Sequence, residues 1–239
     1  MDEPTPIRLL IHGASGRMGR ALLRLVADDE RFAIAGAVTR TGGHVDGIRA
    51  LTPDRMASAI PFDVLVDFSL PDAFDAALEI CLQRGIALVT GTTGLSDAQR
   101  SALDSAKKTI PVMWSANFSL GVAVLNELVR RAAAALPAWD CDIVETHHAG
   151  KRDAPSGTAL ALGATIAAVR GDAPRYASLR AGDIVGEHAV QFTGVGERLE
   201  LIHRATDRDV FARGALEAAA FIAGRGPGRY ELGELLLDS

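Results

Sequence analysis

The sequence predicts an α/β chain in two parts, a parallel sheet covered by helices and then an α+β part with a mixed sheet. Short apolar strands alternate with helical runs as far as residue 114. Those strands are apolar on both faces, as in a sheet covered on both sides. Beyond Asn117 the later strands switch to apolar–polar alternation, which suits a sheet with one face packed. The 239 residues fit one large domain or two small ones.

The first strand is read over residues 7–11. A glycine-rich turn follows, then a helix over 20–27 with Ala21, Leu22, Leu25 and Val26 on one face. Strands are expected at 32–38, 62–68, 86–90 and 110–114, with helices at 71–84 and 95–108 between the later ones. After residue 117 come a long amphipathic helix at 121–135, a strand at 141–145 and a helix at 156–169. Two alternating strands at 183–193 and 198–203 and a helix at 215–223 complete the reading. The expected division is a first domain at 1–118, completed by 210–239 folding back onto it, and a second at 119–209.

Composition excludes several classes of function. Hydrophobic residues at 48% and charged residues at 23% argue against disorder. The balance of 25 basic against 30 acidic side chains, net −5, lacks the footprint of a general nucleic-acid binder. The apolar stretch 121–137 is cut by Glu127, Arg130 and Arg131 and cannot span a membrane. An acidic start without an apolar run argues against a signal peptide. Cys81 and Cys141 follow no metal-ligand spacing and read as free thiols in a reducing compartment. The expectation is a soluble, cytoplasmic protein with a small-molecule substrate.

Gly13-Ala14-Ser15-Gly16-Arg17-Met18-Gly19 joins the first strand to the first helix. Glycines there allow a tight turn and close approach of a pyrophosphate to the backbone, while the helix start offers N–H groups to its charge. This predicts a dinucleotide site in a Rossmann-type domain. An NAD-selective site places an acidic residue after the second strand; here Thr39 stands there, followed by Arg40. Without a carboxylate to repel a phosphate, and with a guanidinium to pair with one, NADPH is favoured over NADH. Arg17 is a second cation within reach of that region. Gly91-Thr92-Thr93-Gly94 and Ser115-Ala116-Asn117-Phe118 follow later strands, as ligand loops or as ordinary turns.

The stretch from Glu145 to Thr158 concentrates His147, His148, Lys151 and Arg152 between a strand and the helix announced by Pro155-Ser156. Histidine donates a proton near neutral pH, a lysine offsets developing negative charge, and the helix start at Gly157 and Thr158 suits a carboxylate. Glu145 and His147 share one side of the strand, yet two ligands fall short of a metal site, and none is expected. His12, His44, His188 and His203 show no local pattern above core or surface roles.

Taken together, the glycine turn, Val66-Asp67-Phe68-Ser69, Gly91–Gly94, the run from Ala116 to Gly121, the His147-His148…Lys151…Asp153-Ala154-Pro155-Ser156-Gly157-Thr158 stretch, the run from Ala181 to His188 and Gly196-Glu197-Arg198 resemble the 4-hydroxy-tetrahydrodipicolinate (dihydrodipicolinate) reductase family over nearly the whole chain. The resemblance implies an oxidoreductase of diaminopimelate and lysine biosynthesis that uses NADPH or NADH on a cyclic dicarboxylate. It implies a homotetramer assembled through the sheet of the second domain. Gly13, Ala14, Ser15, Gly16, Arg17, Met18, Arg40, Gly91, Thr92, Thr93, Ser115, Ala116, Asn117 and Phe118 would hold the cofactor. His147 would be the general acid, Lys151 the second catalytic residue, and His148, Gly157 and Thr158 the grip on a substrate carboxylate. Thr39 departs from the acidic residue of members that use NADH well, and segments 42–61 and 171–178 are short for the family. The rival readings are another reductase or dehydrogenase on the same scaffold and a nucleotide-sensing regulatory module.

Overall fold

A computed structural model describes residues 5–236. In chain order these form β1 (Ile7–His12), α1 (Arg17–Ala27), β2 (Phe32–Val38), β3 (Gly43–Val45), β4 (Ile48–Leu51), β5 (Val64–Asp67), α2 (Pro71–Arg84), β6 (Ala87–Thr90), α3 (Asp97–Ala106) and β7 (Pro111–Trp114). There follow α4 (Leu120–Ala135), β8 (Asp140–His147), α5 (Gly157–Arg170), β9 (Arg175–Arg180), β10 (Gly186–Thr193), β11 (Arg198–Ala205), α6 (Asp209–Ile222) and β12 (Gly228–Tyr230). The chain divides into two compact units. The first holds the residues up to Phe118 and those from Phe211 onward, and the second spans Ser119–Val210.

In the first unit the strand order is β12-β7-β6-β5-β1-β2-β4-β3, parallel except for the antiparallel β3–β4 pair. The connection direction reverses at β1, which lies between β2 and β5. In open sheets of this kind ligands bind beyond the carboxyl ends of the strands at that reversal. Leu9, Leu10, Ile11, Val64, Leu65 and Val66 are fully buried, as double-sided covering demands. Leu65, Leu88 and Val112 pack with Phe74, Leu78 and Leu103 of α2 and α3 in one apolar cluster.

In the second unit the order is β11-β10-β8-β9, with β8 and β9 parallel and the other pairs antiparallel, a mixed sheet. One face carries Ile143, Val190 and Phe192 against Leu125 and Val129 of α4 and Leu162 and Ile166 of α5. Cross-strand partners share a face. Glu145 therefore stands beside His188 on the helix-covered side, while Val144, paired with Ala177 and Ala189, lies on the other.

Several boundaries differ from the sequence reading. α1 starts at Arg17, three residues early, because Gly16 in extended conformation caps it and Arg17 and Met18 are good helix formers. α6 starts at Asp209, where the Asp207 carboxylate accepts the Asp209 N–H at 3.0 Å. The strand expected from residue 183 starts only at Gly186, after a turn through Gly182 at φ +49°. Four short or polar strands, β3, β4, β9 and β12, were not expected. Cys81 and Cys141 are free and buried, and burial pushes the Cys141 thiol up to about 11.

Candidate active site

Beyond the carboxyl ends of β1, β2 and β5 lies a cavity of about 720 Å³. It brings together Gly13, Ser15, Gly16 and Arg40 of the expected cofactor residues, with Phe68, Ser69 and Asp72. Gly13 is required twice over: its φ is +77°, and a Cβ there would come within 2.4 Å of the Phe68 carbonyl oxygen. Gly19 lets α1 press on the turn, since its Cβ would meet the Gly13 oxygen at 2.4 Å. Gly16 caps α1 without a side-chain hydrogen bond, so the first-turn N–H groups have no cap oxygen from that residue. A glycine-cornered cavity at a helix start, with a guanidinium on its wall, suits the phosphates of a dinucleotide. Arg40 is exposed and lies 3.8 Å from the Asp72 carboxylate, so a carboxylate does stand near the expected phosphate site, brought by α2 rather than by β2.

Arg17 and Met18 sit in the first turn of α1 and do not line this cavity. Neither do the 91–93 and 115–118 segments, although both follow parallel strands at the same sheet edge. Ala14 is fully buried and its N–H bonds the Val38 carbonyl at 3.0 Å. The Thr92 hydroxyl donates to Asp67 at 2.8 Å, and the Phe118 ring packs edge-on against Phe68 with centroids 5.6 Å apart. The Thr92 and Phe118 side chains are thus committed to the fold, and so is the Thr92 backbone, whose N–H donates to the Thr90 hydroxyl at 3.2 Å and whose carbonyl accepts Trp114 Nε1–H at 3.0 Å.

Beneath the cavity lies a polar knot that the sequence did not announce. Asp67 at the end of β5 is fully buried; it lies 3.0 Å from His12 Nδ1 and accepts the hydroxyls of Thr90 and Thr92, each at 2.8 Å. It also accepts the Ser69 N–H at 3.0 Å. Burial pushes its carboxyl up, but His12, Ser69 and Thr92 together hold it below its ordinary value. One carboxylate so ties the ends of β1, β5 and β6 to the loops that follow them.

In the second unit His147 closes β8, buried, with Nδ1 in contact with Glu145 Oε2. Glu145 is fully buried and takes a bidentate pair from Arg180, Nη1 to Oε2 at 2.9 Å and Nη2 to Oε1 at 2.8 Å, plus the Ser156 N–H at 3.2 Å. Burial pushes Glu145 up, yet Arg180, the Ser178 hydroxyl and His147 outweigh it and bring its carboxyl to about 2. Burial lowers His147 below its ordinary value, opposed by Glu145. His188 packs edge-on against His147 with centroids 5.2 Å apart, and burial brings it down to about 4.

Ser156 caps α5 by accepting the Ala159 N–H, and its hydroxyl meets His188 Nε2 at 3.1 Å. Gly157 is exposed, and a Cβ there would meet nothing within 4 Å, so the space before α5 is open. Lys151 lies 3.0 Å from Asp153, in the loop that leads into α5 through a cis Ala154–Pro155 bond. His147, Lys151, Gly157 and Thr158 thus belong to one strand end, one loop and one helix start, with half-buried His148 next in the chain. Glu145, by sequence spacing only a poor metal ligand, is a partner of His147. His188, which no local sequence pattern lifts above a core or surface role, packs on His147 and meets Ser156. Among the described residues no helix is long and apolar enough to cross a membrane.

A dinucleotide-binding sheet joined in one chain to a unit with a buried, carboxylate-paired histidine is equipment that suits a pyridine-nucleotide oxidoreductase, and that is the class of this protein. Family models place it more narrowly: "Dihydrodipicolinate reductase, N-terminus" matches residues 7–118 and "Dihydrodipicolinate reductase, C-terminus" matches residues 121–236. The chain belongs to the dihydrodipicolinate reductase family. It is 62% identical over 237 residues to 4-hydroxy-tetrahydrodipicolinate reductase of Stenotrophomonas maltophilia (strain K279a), covering 97% of this chain and 98% of that one. The same enzyme of Xanthomonas campestris pv. campestris (strain B100) is 58% identical over 98% of this chain and 99% of its own. The fold matches dipicolinate-bound dihydrodipicolinate reductase from Paenisporosarcina sp. TG-14 with a TM-score of 0.81 at 23% identity, over 95% and 97% of the two chains. A myo-inositol dehydrogenase from Corynebacterium glutamicum shares the architecture more loosely, with a TM-score of 0.63 at 15% identity over 93% and 90%.

Proposed function

We propose that this reductase converts 4-hydroxy-tetrahydrodipicolinate to tetrahydrodipicolinate with NADPH as the favoured reductant, His147 as proton donor and Lys151 as charge partner. The observation that carries the reading is the buried His147, braced by Glu145 in the same strand-to-helix segment as Lys151 and the open start of α5. Loss of the 4-hydroxyl as water gives dihydrodipicolinate, with a conjugated C=C–C=N system, and a bound nicotinamide would supply a hydride to one end of it. Electron density then grows at the neighbouring carbon and nitrogen, and His147 quenches it with a proton. Lys151, 3.0 Å from Asp153, stabilises that density in the transition state. The first turn of α5, at Gly157 and Thr158, and the adjacent His148 take a substrate carboxylate, with the helix dipole contributing on the order of 1 kcal/mol.

Gly13, Ser15 and Gly16 cradle the pyrophosphate, while Arg40 pairs with the 2′-phosphate of NADPH. Ala14, Arg17, Met18 and the segments 91–93 and 115–118 complete the cofactor site. A homotetramer is supported by the uncovered face of the second unit's sheet, where Leu179 and Ile202 are 55% and 42% exposed. The test is nicotinamide oxidation with substrate generated enzymatically from aspartate semialdehyde and pyruvate. H147Q is expected to cut turnover by about 10²-fold or more with NADPH affinity nearly intact, and K151A to behave similarly. Undiminished turnover in H147Q removes His147 from the reaction.

A further inference from the structure

We infer that Glu145 is the positioning residue for proton transfer: it takes the Nδ1–H of His147 and so fixes the proton to be transferred on Nε2. The inference rests on the reading of His147 as proton donor and adds to it the atom that delivers the proton and the group that selects it.

The argument begins with hydrogen-bond capacity. An ionised carboxylate can only accept, and its partners at Glu145 donate, the Ser178 hydroxyl opposite it on β9 among them. Oε1 faces Arg180 Nη2 and the Ser156 N–H, and Oε2 faces Arg180 Nη1 and His147 Nδ1. The Arg180 pair keeps the carboxylate ionised over the working range, so Nδ1 must carry a hydrogen. In neutral His147 the lone pair then lies on Nε2, and a proton taken up from solvent goes there. The imidazolium gives that same proton to the substrate and returns to the starting tautomer.

Three features favour this beyond the contact itself. Gly186, which opens β10, has no side chain where a Cβ would sit 3.0 Å from His147 Nε2, so the delivering atom is not covered from β10. The charged and titratable groups facing the ring are Glu145 on β8, Arg180 on β9, His188 on β10 and Lys151 with Asp153 in the loop before α5. Of these Glu145 is in direct contact and favours the imidazolium, whereas burial, Lys151 and Arg180 oppose it. His188 is not a competing acid. Ser156 accepts the Ala159 N–H and so has its own hydroxyl proton for His188 Nε2, which suits a neutral ring.

Replacing Glu145 by Gln puts an amide within reach of Nδ1. When its N–H₂ points there, Nδ1 must accept and the neutral hydrogen moves to Nε2, as a poor acid. E145Q is therefore expected to lose about 10²-fold in kcat at neutral pH with KM for the dicarboxylate little changed. The high-pH limb of kcat should move down by about one to two pH units, because the imidazolium loses its counter-charge. Long-range ¹⁵N-histidine NMR of the wild-type enzyme above the pKa of His147 should show its hydrogen on Nδ1, and on Nε2 in E145Q. A wild-type neutral His147 protonated on Nε2 overturns the inference, and this spectrum decides even where E145Q fails to fold. A folded E145Q with wild-type turnover and pH profile overturns it as well. Loss of activity in H147Q with wild-type behaviour in E145Q separates the failure of this inference from that of the proton-donor reading.

Discussion

At the level of single residues, the site depends on what is left out beside His147 as much as on what is present. A methyl group at Gly186 would sit 3.0 Å from His147 Nε2. G186A should therefore lower kcat by about 10- to 100-fold through misplacement of the ring, with its melting temperature near that of the wild type, as calorimetry and turnover together would show. At the cofactor cavity, Asp72 shares Arg40 with any incoming phosphate. D72N should tighten NADPH binding severalfold and leave NADH unchanged, whereas R40A should weaken NADPH alone; equal effects on both nucleotides in a titration would remove the pair from cofactor selection. His188 has a consequence for stability. Its folded pKa of about 4 lies below the ordinary 6.5, so between these values the unfolded chain binds a proton that the folded chain does not. The folded state keeps this contribution above pH 6.5 and loses about 3 kcal/mol as pH falls towards 4. Urea unfolding of H188Q across that range should show a shallower decline than the wild type. The sequence revealed His147 because histidines, lysine and a helix start crowd one segment. Arg180 and His188 reach the same place only through pairing of β8 with β9 and β10, and His12 meets Asp67 only across β1 and β5; no local pattern marks such cross-strand neighbours.

Among the elements, those with strong periodicity or firm ends are the ones the sequence defined best. β2 and α2 have the expected limits, the latter because Pro71 opens it and Gly85 in left-handed conformation closes it. β9 escaped notice because Arg-Tyr-Ala-Ser-Leu-Arg carries little apolar alternation and is exposed over much of its length. β3 and β4 form a small glycine-bounded hairpin, too short and too polar to stand out, and β12 is three residues beside β7. The start of α5 was readable, and it does two things: Ser156 caps the helix and also meets His188. S156A should cost about 1–2 kcal/mol in chemical denaturation, the span of a lost N-cap, and should raise KM for the dicarboxylate more than KM for the nucleotide. An S156A enzyme with KM values and stability at wild-type level would show that the cap does not hold the carboxylate end of the site.

For the molecule as a whole, the two units differ in how they meet solvent. The first covers both faces of its central strands, whereas the second covers one face with α4 and α5 and leaves Leu179 and Ile202 exposed on the other. Paired charges at those two positions, L179E with I202E, should reduce self-association in sedimentation or light scattering while the helical signal persists. The texture change near residue 118 was visible because strand composition shifts there, but the return of the chain was less sharply defined, since α6 is apolar over most of its length and carries no mark of which unit it serves. That return matters during synthesis. β7 acquires its outer neighbour β12 only after every residue of the second unit has left the ribosome. Until then the nascent first unit presents an open strand edge, the kind of surface that invites pairing with another chain. The second unit, made from one uninterrupted stretch, is free to fold while the first still waits for its last strand.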